Sequence, residues 1–369
     1  MLGIDAHRLA GHRSGVGRYL AELLREWARS DNPFAEIVVF LPAGVDPDAL
    51  PLAHPFRIHA LNRAGGMSFH WTLGRAAREV DLLFCPSYAA PLAYRGPFVV
   101  TVHDALSALM PPDPGLRQRV RHRATRSSAR RARHVVTVSE TSRDDVARLY
   151  GVASSRITAV PNGCGAEFFV PPTPAQAEDV RRRYSLEDVP FCLFVGKFAR
   201  RRNLPVLVEA FAEARTRTAS AHALVLVGEN TVGEPVAEAA AVAGLADLVR
   251  LPGHVPDADL HVLYHEADVF AYPSWYEGFG LPVLEAMAAG TPVLTARNSA
   301  LAEVAGDAAL LVDEPRRDLL ADGLASLLSD TALRQRLAER GRERARLFPW
   351  NRTAAETMAV LAAVSSASA

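Results

Sequence analysis

The feature that most constrains the fold is a recurrence of short, continuously apolar runs separated by stretches with helical periodicity. Continuous runs rich in β-branched residues, without polar alternation, indicate strands buried on both faces. Strands that alternate with helices indicate βαβ units and parallel sheets. The runs lie at 2–6, 37–40, 82–85, 98–102, 135–138, 191–195, 223–227, 269–271, 292–294 and 309–312.

These runs fall into two series, and each series is long enough to build one doubly wound domain. The chain has 369 residues, more than one ordinary hydrophobic core carries. A proline cluster at 171–174 interrupts the rhythm, because proline can continue neither a strand nor a helix. We therefore predict an N-terminal domain over 1–171, a C-terminal domain over 172–348, and a final segment, 349–369, that is helical from Thr353 to about Val364.

Composition excludes several classes of protein. The chain carries 41 Lys and Arg against 41 Asp and Glu, so it lacks the broad basic surface of a nucleic-acid binder. With 49% apolar and 22% charged residues it is typical of a folded soluble protein, and no run approaches the length of a membrane span. Met1 leads at once into a strand-like run, which indicates no leader peptide. Three widely spaced cysteines suit a reducing compartment and form no zinc motif, so we expect a cytoplasmic protein.

A cationic loop follows the run at 191–195. It begins with Gly196 and Lys197, the only lysine in the chain, and continues with arginines at 200, 201 and 202. Loops after the strands of an open α/β sheet are where ligands bind, and such cations suit an anion. A solvated basic loop is the alternative reading.

A glycine-containing loop also follows the run at 269–271 and opens a predicted helix. Pro282 suits the first helical position, and Gly290 suits the residue just past the end. Glycines 278 and 280 allow a ligand to approach the backbone, and free N–H groups at a helix start attract phosphate. Glu285 lies one turn inside the helix, so it could be only a partner of the helix dipole and have no functional role. That explanation does not apply to Glu277, which lies in the loop before the helix.

The segment Glu-Gly-Phe-Gly-Leu-Pro-Val-Leu-Glu at 277–285, continued by Ala-Met-Ala-Ala-Gly-Thr-Pro-Val, resembles the signature of the retaining glycosyltransferases of family 4. Other motifs agree in order along nearly the whole chain. Gly15-Val16-Gly17-Arg18-Tyr19 resembles the glycine loop that opens the first helix of that family, and Thr101-Val102-His103-Asp104 resembles the strand end whose histidine approaches the donor sugar. Further similar segments lie at 138–143, 160–163 and 348–354.

The resemblance implies the GT-B fold: two Rossmann-like doubly wound parallel-sheet domains facing across a cleft, with a C-terminal helix that crosses back to the first domain. It also implies that the C-terminal domain holds most of a nucleotide-sugar donor, without a metal ion or other cofactor. Transferred to this sequence, Lys197 and Arg202 would bind the diphosphate. Many relatives carry arginine directly after the strand glycine and lysine later, so the oxygen that each cation reaches is open.

The resemblance assigns the remaining positions in the same way. Glu277 would contact hydroxyls of the donor sugar, Glu285 the ribose hydroxyls, and Val255 the base. Gly280 and Leu281 would offer backbone N–H groups to the sugar and phosphate. The residues expected in the catalytic group are Glu277, His103, Lys197 and Arg202, and those expected to line the donor are Gly15, Gly17, Gly196, Val255, Gly278, Phe279, Gly280, Leu281 and Glu285.

Other features keep two interpretations. His103 could be an ordinary buried strand-end histidine, and Asp104 could cap the loop. The stretch 116–133 holds eight arginines, which suits either a solvated face or peripheral contact with an anionic membrane. His261 and His265, four apart, are expected to be a helical surface pair and not metal ligands, and the segment 67–71 could serve the acceptor side or only the core.

The sequence therefore predicts an enzyme that transfers a hexose, with mannose favoured, from a nucleotide-diphosphate sugar to a glycan or lipid-linked acceptor hydroxyl with retention of configuration. The setting expected is synthesis of cell-surface glycans or glycoconjugates. Two alternatives stay open: another enzyme of the same fold, such as a nucleotide-sugar epimerase, and a non-catalytic nucleotide-sugar-binding protein.

Overall fold

The protein is represented by a computed structural model that describes residues 1–10, 15–46, 56–62, 66–109 and 115–367. Within these ranges the chain divides into two compact units. Unit 1 comprises 1–163 and 350–369, and unit 2 comprises 164–349. Each unit is built on a parallel sheet, as predicted.

The sheet of unit 1 contains seven strands among the described residues, in the order β3-β2-β1-β4-β5-β6-β7. Its strands are β1 (Leu2–Asp5), β2 (Ile37–Leu41), β3 (Phe56–Ala60), β4 (Leu82–Cys85), β5 (Phe98–Val102), β6 (His134–Thr137) and β7 (Ile157–Ala159). The order of strands reverses between β1 and β4, which makes the carboxyl edge of these two strands the switch point of the sheet.

The sheet of unit 2 has six strands in the part of the chain that is described, in the order β10-β9-β8-β11-β12-β13. They are β8 (Phe191–Val195), β9 (Ala223–Val227), β10 (Val249–Gly253), β11 (Val269–Tyr272), β12 (Val293–Ala296) and β13 (Leu310–Val312). The switch point here lies between β8 and β11. The cationic loop and the glycine loop, which follow these two strands, therefore leave the sheet at the same edge.

The helices of unit 1 are α1 (Gly15–Trp27), α2 (Gly66–Ala76), α3 (Leu106–Leu109), α4 (Leu116–Arg131) and α5 (Glu140–Tyr150). Those of unit 2 are α6 (Pro174–Arg183), α7 (Leu204–Thr218), α8 (Val236–Val242), α9 (Asp257–Glu266), α10 (Leu281–Ala289), α11 (Ala300–Ala305), α12 (Arg317–Ser329) and α13 (Thr331–Ala345). The last helix, α14 (Trp350–Ser366), belongs to unit 1. No described helix combines the length and apolarity needed to cross a membrane.

Local sequence explains where these elements begin and end. Thr173 and Gln176 form a capping box at the start of α6, where Pro174 occupies a position that needs no N–H. Leu281 is the first residue of α10 and Pro282 the second, and Gly290 ends the helix in the left-handed conformation. The helix after the cationic loop, α7, has an apolar face on which Leu207 and Phe211 are fully buried.

The division between the units falls at Gly163 and Cys164, before the proline cluster and not within it. The intervening 3-10 helix, Ala166–Phe169, packs on unit 2, where the ring centroids of Phe168 and Tyr264 are 5.7 Å apart. Apolar contacts therefore assign this segment to unit 2.

The final helix begins at Trp350, three residues before the predicted Thr353, and packs on unit 1 as predicted. The indole Nε1 of Trp27 donates to the carbonyl of Ala354 at 2.9 Å. The hydroxyl of Thr353 donates to the carbonyl of Pro161 at 2.7 Å. Two hydrogen bonds thus hold the C-terminal helix, one to Trp27 of α1 and one to Pro161, which follows β7.

Candidate functional site

The cationic loop of unit 2 depends on the glycine that opens it. Gly196 has φ +149°, and a Cβ placed there would lie 2.2 Å from Nη1 of Arg202. This space lets Arg202 fold back across the loop and donate from Nη1 to the carbonyl of Lys197 at 2.6 Å. The 3-10 helix Arg200–Arg202 brings the arginine to this position. A glycine is therefore required for the observed path of the arginine side chain.

Glu277 is held by four donors that all reach the same oxygen, Oε1. Arg201 donates from Nη1, Arg202 from Nε at 3.4 Å, the hydroxyl of Tyr272 at 3.0 Å and that of Ser274 at 3.0 Å. No described residue bonds the second oxygen, Oε2. The carboxylate is 12% exposed, so its orientation is fixed while one oxygen stays available to a ligand.

Tyr272 supports this arrangement from the end of β11. Burial raises the pKa of its phenol, which keeps the hydroxyl protonated as a donor. Its ring stacks on Phe194 at 5.3 Å, and the guanidinium of Arg202 lies 5.8 Å from the ring centroid. The strand end thus rigidifies both the carboxylate and the arginine.

Two cationic groups in this cluster have donors left over. The side chain of Lys197 is exposed and bonds none of the described residues. Nη2 of Arg202 also bonds none of them, although its Nε and Nη1 are engaged. The structure therefore brings Lys197, Arg202 and Glu277 together as the sequence predicts, and it adds Arg201, which the sequence analysis did not select.

Glu285 lies in the middle of α10 and is 4% exposed. Its Oε2 accepts a hydrogen bond from the hydroxyl of Tyr264 on α9 at 2.8 Å. A partnered, buried carboxylate is positioned by the packing of two helices. Its interpretation as a simple partner of the helix dipole leaves this contact unexplained.

The glycine loop turns sharply into α10. Gly280 has φ +106°, and a Cβ there would lie 2.6 Å from Cδ2 of Leu301, so only glycine fits. Phe279 is buried, with its ring 6.0 Å from that of Phe348, and Gly278 is half-buried. The backbone N–H groups of Gly280 and Leu281 donate to no described residue. They form the anion-attracting start of a nine-residue helix.

Val255 lies between β10 and α9 and is 3% exposed. It follows Gly253, which has φ +72° and accepts a hydrogen bond at its carbonyl from the N–H of Gly228 at 2.8 Å. A nearly buried valine offers a small apolar surface and its backbone. The structure thus leaves the predicted contact with a base as a prediction.

His103 follows β5 at the carboxyl edge of unit 1 and is 8% exposed. Its Nε2 lies 2.8 Å from the carbonyl of Pro86, which can only accept, so Nε2 carries the proton. Burial lowers the pKa of His103, which keeps the ring neutral and leaves Nδ1 with a lone pair. Tyr19 packs edge-on against the ring at 4.9 Å and Tyr88 tilts over it at 5.4 Å.

The neighbouring Asp104 caps α3, one of the two roles open for it. Its Oδ1 accepts the N–H of Leu106 at 2.9 Å, and its Oδ2 accepts the hydroxyl of Tyr88. Asp104 thus braces the loop that carries His103.

Gly15 and Gly17 are in the first turn of α1, with Gly15 exposed and Gly17 buried.

The remaining predicted features are the segment 67–71 and the histidine pair on α9. In α2, Phe69 of the segment 67–71 is buried and Trp71 is 61% exposed. The side chain of Met67 lies outside the described residues.

The histidine pair on α9 is half-buried, whereas a surface pair was expected. His261 and His265 have ring centroids 4.8 Å apart, and burial lowers the pKa of His265 to about 4. No cluster of three metal-ligating side chains occurs among the described residues.

Two protein families together match most of the chain. The family described as "Glycosyl transferases group 1" matches residues 176–344, and the one described as "Glycosyltransferase Family 4" matches residues 13–168. The O-antigen chain mannosyltransferase B of Escherichia coli is 32% identical over 70% of this chain and 68% of its own length. The MMP α-(1→4)-mannosyltransferase of Mycolicibacterium hassiacum is 33% identical over 63% of this chain and 54% of its own length.

A solved structure supports the fold. The crystal structure of Anabaena Alr3699/HepE in complex with UDP and glucose superposes with a TM-score of 0.79 at 19% identity, covering 98% of this chain and 99% of that one. The GT-B expectation is thereby confirmed. The chain belongs to the family 4 glycosyltransferases, in the mannosyltransferase-like branch, and is a sugar-transferring enzyme.

Proposed function

We propose that the enzyme transfers a hexose, with mannose favoured, from a nucleotide-diphosphate sugar to an acceptor hydroxyl and retains the anomeric configuration. The observation that carries this proposal is the fixed carboxylate of Glu277 beside the donor-rich cations Lys197 and Arg202. A carboxylate oxygen binds sugar hydroxyls, and neighbouring cations bind a diphosphate. One cluster therefore suits both halves of a nucleotide sugar.

The diphosphate is the leaving group, so negative charge develops on it as the bond to the anomeric carbon breaks. Lys197, Nη2 of Arg202 and the N–H groups at the start of α10 would stabilise that charge. Oε2 of Glu277 would accept a hydrogen bond from a hydroxyl of the sugar and hold the ring in place. Each such charge-assisted bond contributes about 1.5–3 kcal/mol.

Transfer with retention needs no carboxylate nucleophile in this scheme. The acceptor oxygen attacks the anomeric carbon on the face from which the phosphate departs. The new carbon–oxygen bond replaces the old one, and a departing phosphate oxygen takes the acceptor's proton. His103, neutral with its lone pair on Nδ1, would accept a hydrogen bond from a hydroxyl of the donor sugar and carry no charge into the reaction.

The nucleoside would occupy the surface formed by α9 and α10. Glu285, oriented by Tyr264, would accept hydrogen bonds from the ribose hydroxyls, and Val255 would contact the base. The cations already supply positive charge next to the diphosphate. We therefore expect transfer without a metal ion or other cofactor.

Mannose is favoured because two of the relatives, those of Escherichia coli and Mycolicibacterium hassiacum, are mannosyltransferases, and GDP is proposed as the matching base from the family resemblance. The Anabaena protein was solved with UDP and glucose, which supports a nucleotide sugar as the donor class but favours a different base. A small number of pocket residues decides the sugar, so the donor is best found by a direct screen.

A thermal-shift screen against GDP-mannose, UDP-glucose, ADP-glucose and dTDP-glucose identifies the donor, because a ligand that binds the folded state raises Tm. The active donor is then incubated with candidate acceptors, and NMR of the anomeric proton gives the configuration of the product. We expect GDP-mannose to give the largest shift, an α-linked product, and full activity in EDTA. An inverted product, or strict dependence on added metal, would contradict the scheme.

The two rival functions separate in the same experiment. An epimerase converts the donor without any acceptor, and a binding protein gives a Tm shift without turnover. A product whose formation depends on the acceptor excludes both. The ion-paired Glu277 and the partnered Glu285 favour the transferase, since both glutamates of the motif are present and oriented, in contrast to a degenerate site.

The setting proposed is the synthesis of cell-surface glycans or glycoconjugates, in the cytoplasm or at the inner face of the membrane. Helix α4 supports this location, because Leu116 and Val120 are 78% and 57% exposed among arginines such as Arg123. Sedimentation with phosphatidylglycerol vesicles tests the contact, with phosphatidylcholine vesicles as control. Binding that is unchanged in the double variant Leu116→Ser, Val120→Ser would exclude α4 as the contact.

A further inference from the structure

Two surfaces that take no part in the proposed transfer carry opposite charge, and the contrast is visible in the sequence. Between Asp113 and Glu140 the chain has eight arginines and no acidic residue. Between Thr218 and Arg250 it has four acidic residues and no lysine or arginine. The first stretch contains helix α4 of unit 1, and the second contains helix α8 of unit 2. Complementary charges of this kind steer two surfaces towards each other.

Helix α4 presents an exposed apolar stripe among arginines. Leu116 and Val120 lie one turn apart and are 78% and 57% exposed, and Arg123 continues the same face. Arg123 and Arg126 are exposed and pair with no carboxylate in the described part of the chain. The opposite face, which includes Ala129, is buried in the core of unit 1. The outward face of α4 therefore combines apolar side chains with unpaired positive charge.

A groove of about 770 Å³ lies between α7 and α8 in unit 2. The half-buried alanines Ala212, Ala239 and Ala243 line it, and so does Val242, which is 91% exposed. Small side chains let the backbone of a second helix approach closely, and an amphipathic helix binds such a groove through its apolar face. The groove is therefore suited to a helix.

The groove also carries negative charge that is not balanced within unit 2. Both arginines that line it are paired with acidic residues of unit 2, Arg317 at 3.0 Å and Arg217 at 2.7 Å. Glu209 of α7 and Glu238 of α8 also line it, are exposed, and form no ion pair among the described residues. Two carboxylates therefore remain for the cations of a partner.

We propose that α4 of one copy of the chain docks in the α7–α8 groove of a second copy, so that the protein associates head to tail. The apolar stripe of α4 covers Val242, and the arginines beside the stripe pair with Glu209 and Glu238. Helix α4 has 16 residues and α7 has 15, so the helix matches the length of the groove. This inference is independent of the proposed transferase function.

A contact between two different surfaces leaves a free groove at one end of the complex and a free α4 at the other. Further copies therefore add until a ring closes. A single helix buries a small area, so the association is expected to be weak and sensitive to salt. The same face of α4 is the one proposed to meet an anionic membrane, and the two contacts exclude each other. The association is therefore measured without lipid.

Sedimentation velocity of the full-length protein over a range of concentrations tests whether the chain associates. In about 0.1 M NaCl we expect the mean mass to rise with concentration. In about 1 M NaCl it should return towards that of one chain, because the Debye length falls from about 10 Å to about 3 Å. A protein that stays monomeric at low salt up to its solubility limit, or an association that salt does not weaken, would overturn the proposal.

Two double variants test which surfaces meet. Glu209→Lys with Glu238→Lys reverses the charge of the groove, and Leu116→Ser with Val120→Ser removes the apolar stripe of α4. Each variant alone should associate at least about tenfold more weakly than the wild type. An equimolar mixture should form a complex of two chains and nothing larger, because one variant keeps an intact α4 and the other an intact groove. A mixture that stays monomeric would show that these two surfaces do not meet.

The control reverses the same amount of charge elsewhere on unit 2. Glu187 and Glu339 are exposed and do not line the groove, so Glu187→Lys with Glu339→Lys should associate like the wild type. All the substituted side chains are exposed, and the far-UV circular dichroism of each variant should match that of the wild type. If the control variant lost association as completely as the groove variant, net charge and not the groove would be responsible.

Discussion

The carboxyl edges of the two sheets carry opposite kinds of polar groups. In unit 2 the edge is charged, with Arg201 and Arg202 paired to Glu277. In unit 1 the edge around His103 is buried and formed by a neutral imidazole between the rings of Tyr19 and Tyr88. The two units share a doubly wound topology, so the difference lies in the loops that follow the strands and not in the fold.

This difference separates the tasks of a transferase. Charges that are already paired and oriented stabilise a developing phosphate charge without reorganisation. Neutral, buried acceptors discriminate hydroxyl groups without placing a competing charge beside the reaction. If this comparison is correct, substitutions at the unit 2 edge should affect the donor and the rate, and those at the unit 1 edge should affect protonation and hydroxyl recognition.

The largest effect is expected for Glu277→Ala. Loss of the carboxylate removes the proposed sugar contact and leaves two arginines without their shared partner, so kcat should fall about 100-fold or more. The melting temperature should fall as well, because Arg201 and Arg202 lose a nearly buried partner, so the rate is measured well below the melting transition. Glu266→Ala removes another half-buried glutamate that pairs with an arginine, Arg181, and is the control. A normal rate in Glu277→Ala would end its assigned role.

Gly196→Ala should be the next most damaging change. The new methyl group would lie 2.2 Å from Nη1 of Arg202 and displace the guanidinium from Lys197 and Glu277. We expect the donor KM to rise about tenfold, in addition to about 1–3 kcal/mol of backbone strain. Gly233→Ala is the matched control, because its φ is +70° and nothing lies near its Cβ position. If both variants raised the donor KM equally, backbone strain alone would explain the loss of donor affinity.

A smaller effect is expected on the pH dependence of the free energy of unfolding. Burial in the folded state lowers the pKa of His103, whereas in the unfolded chain its pKa is near the usual histidine value of 6.5. Because the unfolded state binds more protons, the free energy of unfolding should decrease as the pH falls through and below 6.5. In unit 2, His265 acts with the same sign, since its pKa is lowered to about 4.

Denaturant titrations between neutral pH and pH 5 measure this dependence. His103→Gln and His265→Gln should each make the decrease shallower than in the wild type, while His70 and His134, whose pKa values are also lowered, maintain the rest. A slope that stays the same in His103→Gln would mean that the imidazole is not held neutral.

The smallest effect is expected for Lys197→Arg. The side chain is exposed and bonds none of the described residues, and the substitution keeps the charge, so the donor KM should change less than about threefold. Lys197→Ala, which removes the charge, should raise it about tenfold. If the arginine variant matched the alanine variant, the lysine would have a geometric role that arginine cannot supply.

The strands that the sequence does not reveal share one property. The core strands are confirmed, because β8 and β9 are buried along their whole length and appear as unbroken apolar runs. The two strands missed altogether, β3 and β10, both lie at sheet edges. Both are partly exposed and carry polar residues such as Arg57 and Arg250, so no continuous apolar run marks them, whereas the edge strand β13 coincides with the apolar run at 309–312.

The site residues show a similar limit. Motif order placed Lys197, Arg202 and Glu277 in one region, and the structure brings them into one cluster. Arg201 was missed, because three consecutive arginines are equivalent in the sequence and only the 3-10 helix decides which one turns to Glu277.

The sequence by itself determined the class of fold, the family and the loops that carry chemistry. Apolar periodicity and turn residues act locally, and a motif of two glutamates with seven residues between them needs no tertiary information. Tertiary structure alone decided protonation and orientation: which ring nitrogen of His103 carries a proton, which oxygen of Glu277 is free, and which buried atoms are unpartnered. These depend on desolvation and on hydrogen bonds between residues far apart in the chain, which no local pattern encodes.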